Sequence, residues 1–253
     1  MRTGPIGVVV AAAAGATGCA GPGSASPDPA RAVHSEETFD SRVSVHVRLR
    51  YLLALPDGYG DRARRGERWP LLLFLHGLGE CGGDLRAVVR HGPPKLLEAG
   101  RRLPCIVVSP QCEQPGWSPL ALNALVDELG RTLRVDESRV WLTGLSMGGF
   151  GAWAAASDRP DRYAALVPMC GGGDWIAARR LKDVPVWAFH GRRDPLVPLA
   201  KSEEMVLALK SAGGRARLTI YDDLGHDCWT RAYEDPELWN WLFAQRRAER
   251  APE

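Results

Sequence analysis

Three residue types in this chain have the order and setting needed to attack a carbonyl group. The first is Ser146, in the run Gly144-Leu145-Ser146-Met147-Gly148. Val140-Trp141-Leu142-Thr143 before it reads as a strand, and Phe150 to Ala156 after it reads as a helix. A strand-to-helix turn this tight forces an unusual backbone at the serine, and glycines on either side remove the Cβ atoms that would clash. The hydroxyl then stands at a helix N-terminus, where developing negative charge is favoured. The plain alternative is an ordinary glycine-rich turn.

A serine hydroxyl needs a base to take its proton. Of six histidines, His34 lies in a tether-like stretch, His46 on an alternating strand and His91 beside Pro93-Pro94 in a loop. His190 ends an apolar run. His226 lies in Tyr221-Asp222-Asp223-Leu224-Gly225-His226, after the strand-like Ala216 to Tyr221. A late, loop-borne histidine suits the chain order Ser, acid, His; a solvated surface histidine is the alternative. The acid is expected between them, on a loop after a strand. Asp194 in His190-Gly191-Arg192-Arg193-Asp194-Pro195 fits, accepting the imidazole Nδ1–H and stabilising the imidazolium. Its alternative is a surface pair with Arg192 or Arg193, and Asp222, Asp223 and Asp227 are rivals for the role.

The fourth part is His76-Gly77-Leu78-Gly79-Glu80. Glycines let backbone N–H groups approach an oxyanion, and the amides of Leu78 and Met147 are the expected donors. His76 is read as orienting this loop. Such a set transfers an acyl group through a Ser146 acyl-enzyme and requires no metal or organic cofactor.

These residues need a scaffold. Pro70 to His76, Cys105 to Ser109, Val140 to Thr143, Ala164 to Met169 and Val184 to Phe189 are continuous apolar runs, as a parallel sheet covered on both faces demands. Arg42 to Leu55 alternates and predicts an antiparallel, half-exposed strand. Leu120 to Leu133, Glu203 to Leu209 and Pro236 to Phe243 read as helices. The alternation predicts a doubly wound, mostly parallel α/β sheet with helices on both faces. Only Gly171 to Asp183 separates two of the core strands, room for one short helix, so no large cap domain is expected and the site should be open.

The chain has 253 residues, 45% of them hydrophobic, which suits one domain. A net charge of +2 offers no electrostatic case for binding nucleic acid. Ile6 to Ala16 is too short to span a bilayer but suits the apolar core of a signal peptide. Ala16-Thr17-Gly18-Cys19 resembles a bacterial lipobox, with Ala16 where leucine is usual, and Cys19 is the expected lipidation site. Ordinary signal-peptidase cleavage or a plain tail are the alternatives. The organisation is thus a signal peptide at 1–18, a flexible tether at 19–40 and a catalytic domain at 41–253. This places the protein outside the cytoplasm, anchored to a membrane surface by lipid or free in the periplasm or medium. Five further cysteines, Cys81, Cys105, Cys112, Cys170 and Cys228, match no zinc spacing. Cys81 and Cys112 are the first pair to test for a disulfide, since both should follow neighbouring strands; buried free thiols are the alternative.

The runs FLHGLGE, SPQC, TGLSMGGFGAW, CGGGD, VWAFHGRRDPLVP and GHDCW resemble those of α/β-hydrolase esterases related to polyhydroxybutyrate depolymerases and feruloyl esterases, in the branch often termed "predicted peptidase". The resemblance extends from about Arg50 to about Phe243. It implies an α/β-hydrolase fold, a Ser146–Asp194–His226 triad and carboxylic ester hydrolysis, with a serine peptidase or a silent surface lipoprotein as alternatives. Cys81 directly after the oxyanion loop departs from the commoner pattern. Trp117, Trp175 and Trp229 follow motif loops and are expected either to line the site for a bulky, aryl or polymer-attached ester, or to pack locally.

Overall fold

The computed structural model describes residues 38–41 and 44–247. The chain divides into two units, Met1–His46 and Val47–Glu253. The described residues of the first unit are exposed and carry neither helix nor strand. The signal-peptide segment, Cys19 and nearly all of the tether lie outside the described residues. Among those described, no helix is long and apolar enough to cross a membrane.

The second unit is built on seven strands: β1 Arg50–Ala54, β2 Trp69–Leu75, β3 Ile106–Gln111, β4 Val135–Leu145, β5 Ala165–Met169, β6 Val186–Gly191 and β7 Ala216–Tyr221. Their spatial order is β1-β3-β2-β4-β5-β6-β7. β1 runs antiparallel to β3, and every other pairing is parallel. Seven helices, α1 Gly92–Glu98, α2 Pro119–Thr132, α3 Met147–Asp158, α4 Trp175–Ala178, α5 Ala200–Ser211, α6 Trp229–Glu234 and α7 Pro236–Ala244, connect them along with short 3-10 turns.

The period of two along a strand sorts the core into two layers. Leu71, Leu73 and Leu75 of β2 pack with Ile106, Val108 and the inward residues of α2 and α3. Leu72 and Phe74 point the other way, toward Val107, Trp141 and the residues of α6 and α7. All seven residues of β2 are buried, which is why its sequence shows no alternation. α2 starts where expected because the Ser118 side chain accepts the Ala121 N–H and Pro119 occupies a position that needs no donor.

Three elements differ from the sequence reading. The alternating stretch forms a strand only at Arg50–Ala54, where β3 supplies a partner. β4 begins at Val135, earlier than its apolar run, because Trp69 pairs with Val135 before a bulge shifts the register to Leu71–Val140. The Pro93-Pro94 stretch is the first turn of α1, not a loop. Between β5 and β6 lie α4 and one 3-10 turn, Arg179–Leu181.

Candidate functional site

Ser146 sits between β4 and α3 with φ 52° and ψ −119°. A non-glycine residue held there carries strain, and the surroundings must enforce it. They do so from both sides. The Ser146 N–H donates to the Met169 carbonyl at the end of β5 (2.9 Å). On the other flank, a Cβ on Gly148 would collide with the Leu75 carbonyl, so the turn closes against β2 only because that position is glycine.

The loop after β6 carries Asp194, whose side chain is fully buried. One carboxylate oxygen accepts the N–H groups of Leu196 and Val197 (2.8 and 2.9 Å), and the other accepts from His226 Nδ1 (2.7 Å). Burial alone would raise this carboxyl's pKa, but the hydrogen bonds from His226 and the two amides outweigh it and hold Asp194 below its ordinary range. An ionised Asp194 can only accept, so neutral His226 carries its proton on Nδ1 and presents a lone pair at Nε2. That nitrogen lies 2.8 Å from Ser146 Oγ. The three residues predicted from the sequence therefore form one continuous hydrogen-bonded line. The rivals for the acid are engaged elsewhere. Asp222 pairs with Arg192, Asp223 with Arg231, and Asp227 accepts from the Thr230 amide and hydroxyl.

The imidazole of His226 is unusually basic. Burial pulls its pKa down, but the adjoining Cys170 sulfur and Asp194 raise it further, to about 9. His190, fully buried, braces the same loop. Its Nδ1 is 2.8 Å from Ser202 Oγ, its Nε2 is 2.9 Å from the Val197 carbonyl, and Nε2 is also 3.3 Å from Asp194. Cys170, His190 and Asp194 bring one ligand-type atom each within 4.8 Å of one another, the one metal-type grouping among the described residues. His190 and Asp194 are committed there to the bonds just described, so the cluster wires the triad loop together.

Leu78 and Met147 are each the first residue of a helical turn, where the N–H has no partner within the turn. The Leu78 turn is clamped from beneath. Buried Glu80 accepts the Gly77 N–H at 3.0 Å, and its other oxygen lies 3.6 Å from His91 Nε2. His76 acts as the sequence suggested. Its Nε2 accepts the Cys112 N–H (3.0 Å), its Nδ1 lies 2.6 Å from the Gly77 carbonyl, and burial lowers its pKa. Glu80, His91 and His190 stand outside the set read from the sequence. The available signal for Glu80 was its place three residues after Gly77, where a carboxylate reaches back to the turn's first N–H.

The three tryptophans lie in different surroundings. Trp229 packs edge-on against His226 (5.2 Å between ring centres) and against His91 (5.6 Å). Trp117 is half-buried and donates its indole N–H to the His76 carbonyl at 3.2 Å. Trp175 is half exposed and lines a groove with Arg179, Glu204 and Leu207 that shares no residue with the triad.

All five cysteines among the described residues are free thiols. The Cys112 thiol is pushed up to about 11 by burial and by its neighbour Cys81. It is directed to the Gln114 and Gly116 carbonyls, at 2.6 and 3.0 Å.

Comparison with known proteins places this arrangement in a lineage. The Phospholipase/Carboxylesterase family matches residues 118–237, from the start of α2 to the start of α7. A probable feruloyl esterase C of Aspergillus terreus is 26% identical over 161 residues, covering 61% of this chain and 58% of that protein. The chain has the α/β-hydrolase fold and is similar in sequence to feruloyl esterases. Feruloyl esterase C of Emericella nidulans is 28% identical over 165 residues, 59% of this chain and 56% of its own length. The chain thus spans under two thirds of the length of these relatives. Among solved structures, a thermostable esterase shares 33% identity with a TM-score of 0.68, over 79% of this chain and 60% of that one. An acylaminoacyl peptidase of Pyrococcus horikoshii, at 15% identity and TM-score 0.61 over 83% of this chain and 42% of its own, shares the fold.

Proposed function

We propose that this α/β-hydrolase is a serine carboxylic ester hydrolase, with Ser146 as nucleophile, His226 as general base and Asp194 as the acid that orients it. The observation that carries the reading is the unbroken line from Ser146 Oγ to His226 Nε2 (2.8 Å) and from His226 Nδ1 to Asp194 (2.7 Å). Ser146 attacks the ester carbonyl as His226 takes its proton. The Leu78 and Met147 amides stabilise the oxyanion. His226 then protonates the leaving alcohol, and water repeats the sequence on the acyl-enzyme.

The substrate we propose is a bulky, aryl or polymer-attached ester. The similarity to feruloyl esterases supports this, as does the single short helix between β5 and β6, which leaves room for a large acyl or alcohol group. The test is a panel of acetyl, feruloyl, long-chain acyl and polyester substrates with wild type and Ser146→Ala. Turnover of aryl esters that disappears in a folded Ser146→Ala supports the reading. A wild type inert on every ester but active on peptide amides overturns it in favour of a peptidase.

A further inference from the structure

Cys170 and Cys228 lie 58 positions apart in sequence, yet their Sγ atoms are 2.9 Å apart. Both residues are fully buried. That separation is shorter than ordinary contact between non-bonded heavy atoms and less than an ångström longer than an S–S bond. The Cys170 backbone is unusual as well. Among the described residues, only Ser146 and Cys170 combine a side chain with a positive φ, and Cys170 holds 46°. A cysteine in that region is uncommon and needs surroundings that enforce it. Here the Cys170 N–H is tied to the Phe189 carbonyl of β6 at 2.9 Å.

The position of the pair is equally telling. Cys170 follows Met169, whose carbonyl holds the Ser146 amide. Cys228 follows His226 by two residues, and its N–H donates to the His226 carbonyl at 2.9 Å. The Cys170 thiol reaches the same carbonyl at 3.0 Å. The two sulfurs thus join the strand end that holds the nucleophile to the segment that delivers the base.

We propose that Cys170 and Cys228 form a disulfide that fastens the His226 segment to the end of β5. The bond forms by exchange with a small-molecule or protein disulfide. One Cys thiolate attacks a sulfur of the partner, a mixed disulfide forms, and the second Cys thiolate displaces the partner's remaining sulfur. One S–S bond is gained in the protein, the partner is reduced to two thiols, and the two protons released by the cysteines end on those thiols. Because both sulfurs are buried, exchange takes place before the His226 segment docks or when it opens.

The bond also changes the base. The titratable groups acting on His226 are Asp194 after β6 and Cys170 just after β5, and its Nε2 lies against the Ser146 hydroxyl just before α3. In the dithiol form the neighbouring Cys228 thiol lowers the pKa of Cys170, and the Cys170 sulfur contributes to raising that of His226. A disulfide carries no charge, so closing it lowers the pKa of His226 and frees the base nearer neutral pH.

The purified protein is equilibrated in glutathione mixtures of increasing oxidised fraction, quenched in acid, alkylated while denatured, and mapped by mass spectrometry. We expect a linked peptide pair carrying Cys170 and Cys228, with Cys81, Cys105 and Cys112 alkylated. We also expect a melting temperature about 5–10 °C above that of the reduced protein. Alkylation of both Cys170 and Cys228 in the most oxidising mixture, or a Cys81–Cys112 link in their place, overturns the proposal. This readout does not depend on any activity. The consequence for the base rests on the ester hydrolase reading and is tested separately. The pH profile of the oxidised protein should lie at lower pH than that of the reduced protein, and Cys228→Ala should abolish the response to reductant. Coincident profiles for the two redox forms overturn that consequence and leave the bond itself to the mapping.

Discussion

Replacing Asp194 by asparagine isolates what the acid does, because the structure dictates how the new side chain must sit. One Asp194 oxygen accepts two amides, from Leu196 and Val197. Asparagine can satisfy both only by placing its carbonyl oxygen there. Its NH₂ group then faces His226 Nδ1, where a carboxylate oxygen stood at 2.7 Å. An NH₂ donates, so the imidazole must turn its lone pair to Nδ1 and carry its proton on Nε2, toward Ser146. In that tautomer His226 cannot accept the serine proton. The imidazolium also loses its buried counter-charge. The same substitution in the Ser-His-Asp template costs about 10⁴ in kcat, or about 5.4 kcal/mol at 1.36 kcal/mol per decade. We therefore expect Asp194→Asn to lower kcat about 10³- to 10⁴-fold on an aryl ester, with KM little changed and the fold retained by circular dichroism. A folded variant within tenfold of wild type would refute the argument that Asp194 sets the tautomer.

Other outcomes follow from the same geometry. His226 must be neutral to act as base, so kcat/KM of the dithiol form should rise with pH through an apparent pKa of about 9 and fall below it; a limb near 6.5 would contradict the stacking of Cys170 and Asp194 charge around the ring. Glu80→Ala removes the acceptor for the Gly77 N–H and loosens the turn that presents the Leu78 amide. Steady-state kinetics should show kcat down about ten- to hundredfold, consistent with a displacement of about 1 Å at a catalytic group. Gly148→Ala drives a methyl group into the Leu75 carbonyl and should cost about 3 kcal/mol, read as a melting temperature lower by about 5–10 °C.

Much of this is legible in the sequence alone. The strands β2, β3, β5 and β6 announced themselves because a parallel sheet buried on both faces demands unbroken apolar runs, and the Ser146, Asp194 and His226 loops follow from where those runs stop. The alternation of Arg42 to Leu55 predicts a longer β1 than forms, because it persists beyond the point where β3 offers a partner. The early half of β4, Val135 to Arg139, is hidden by its polar Asp136-Glu137-Ser138-Arg139, tolerated because these residues lie at the exposed end of the strand. α1 is seven residues long and opens on two prolines, too short for a period to declare itself. The roles of Glu80, His190 and the Cys170–Cys228 pair depend on contacts between segments distant in sequence. The three tryptophans share a motif-adjacent position, yet tertiary packing gives them different burial and partners.

The central claim is that Ser146 is an activated nucleophile, and a fluorophosphonate tests it without any assumption about substrate. Intact mass and peptide mapping should show one phosphonyl group per chain, on Ser146, absent in Ser146→Ala and formed far more slowly in His226→Ala. A folded wild-type protein that stays unlabelled, or that is labelled at another residue, would contradict the account.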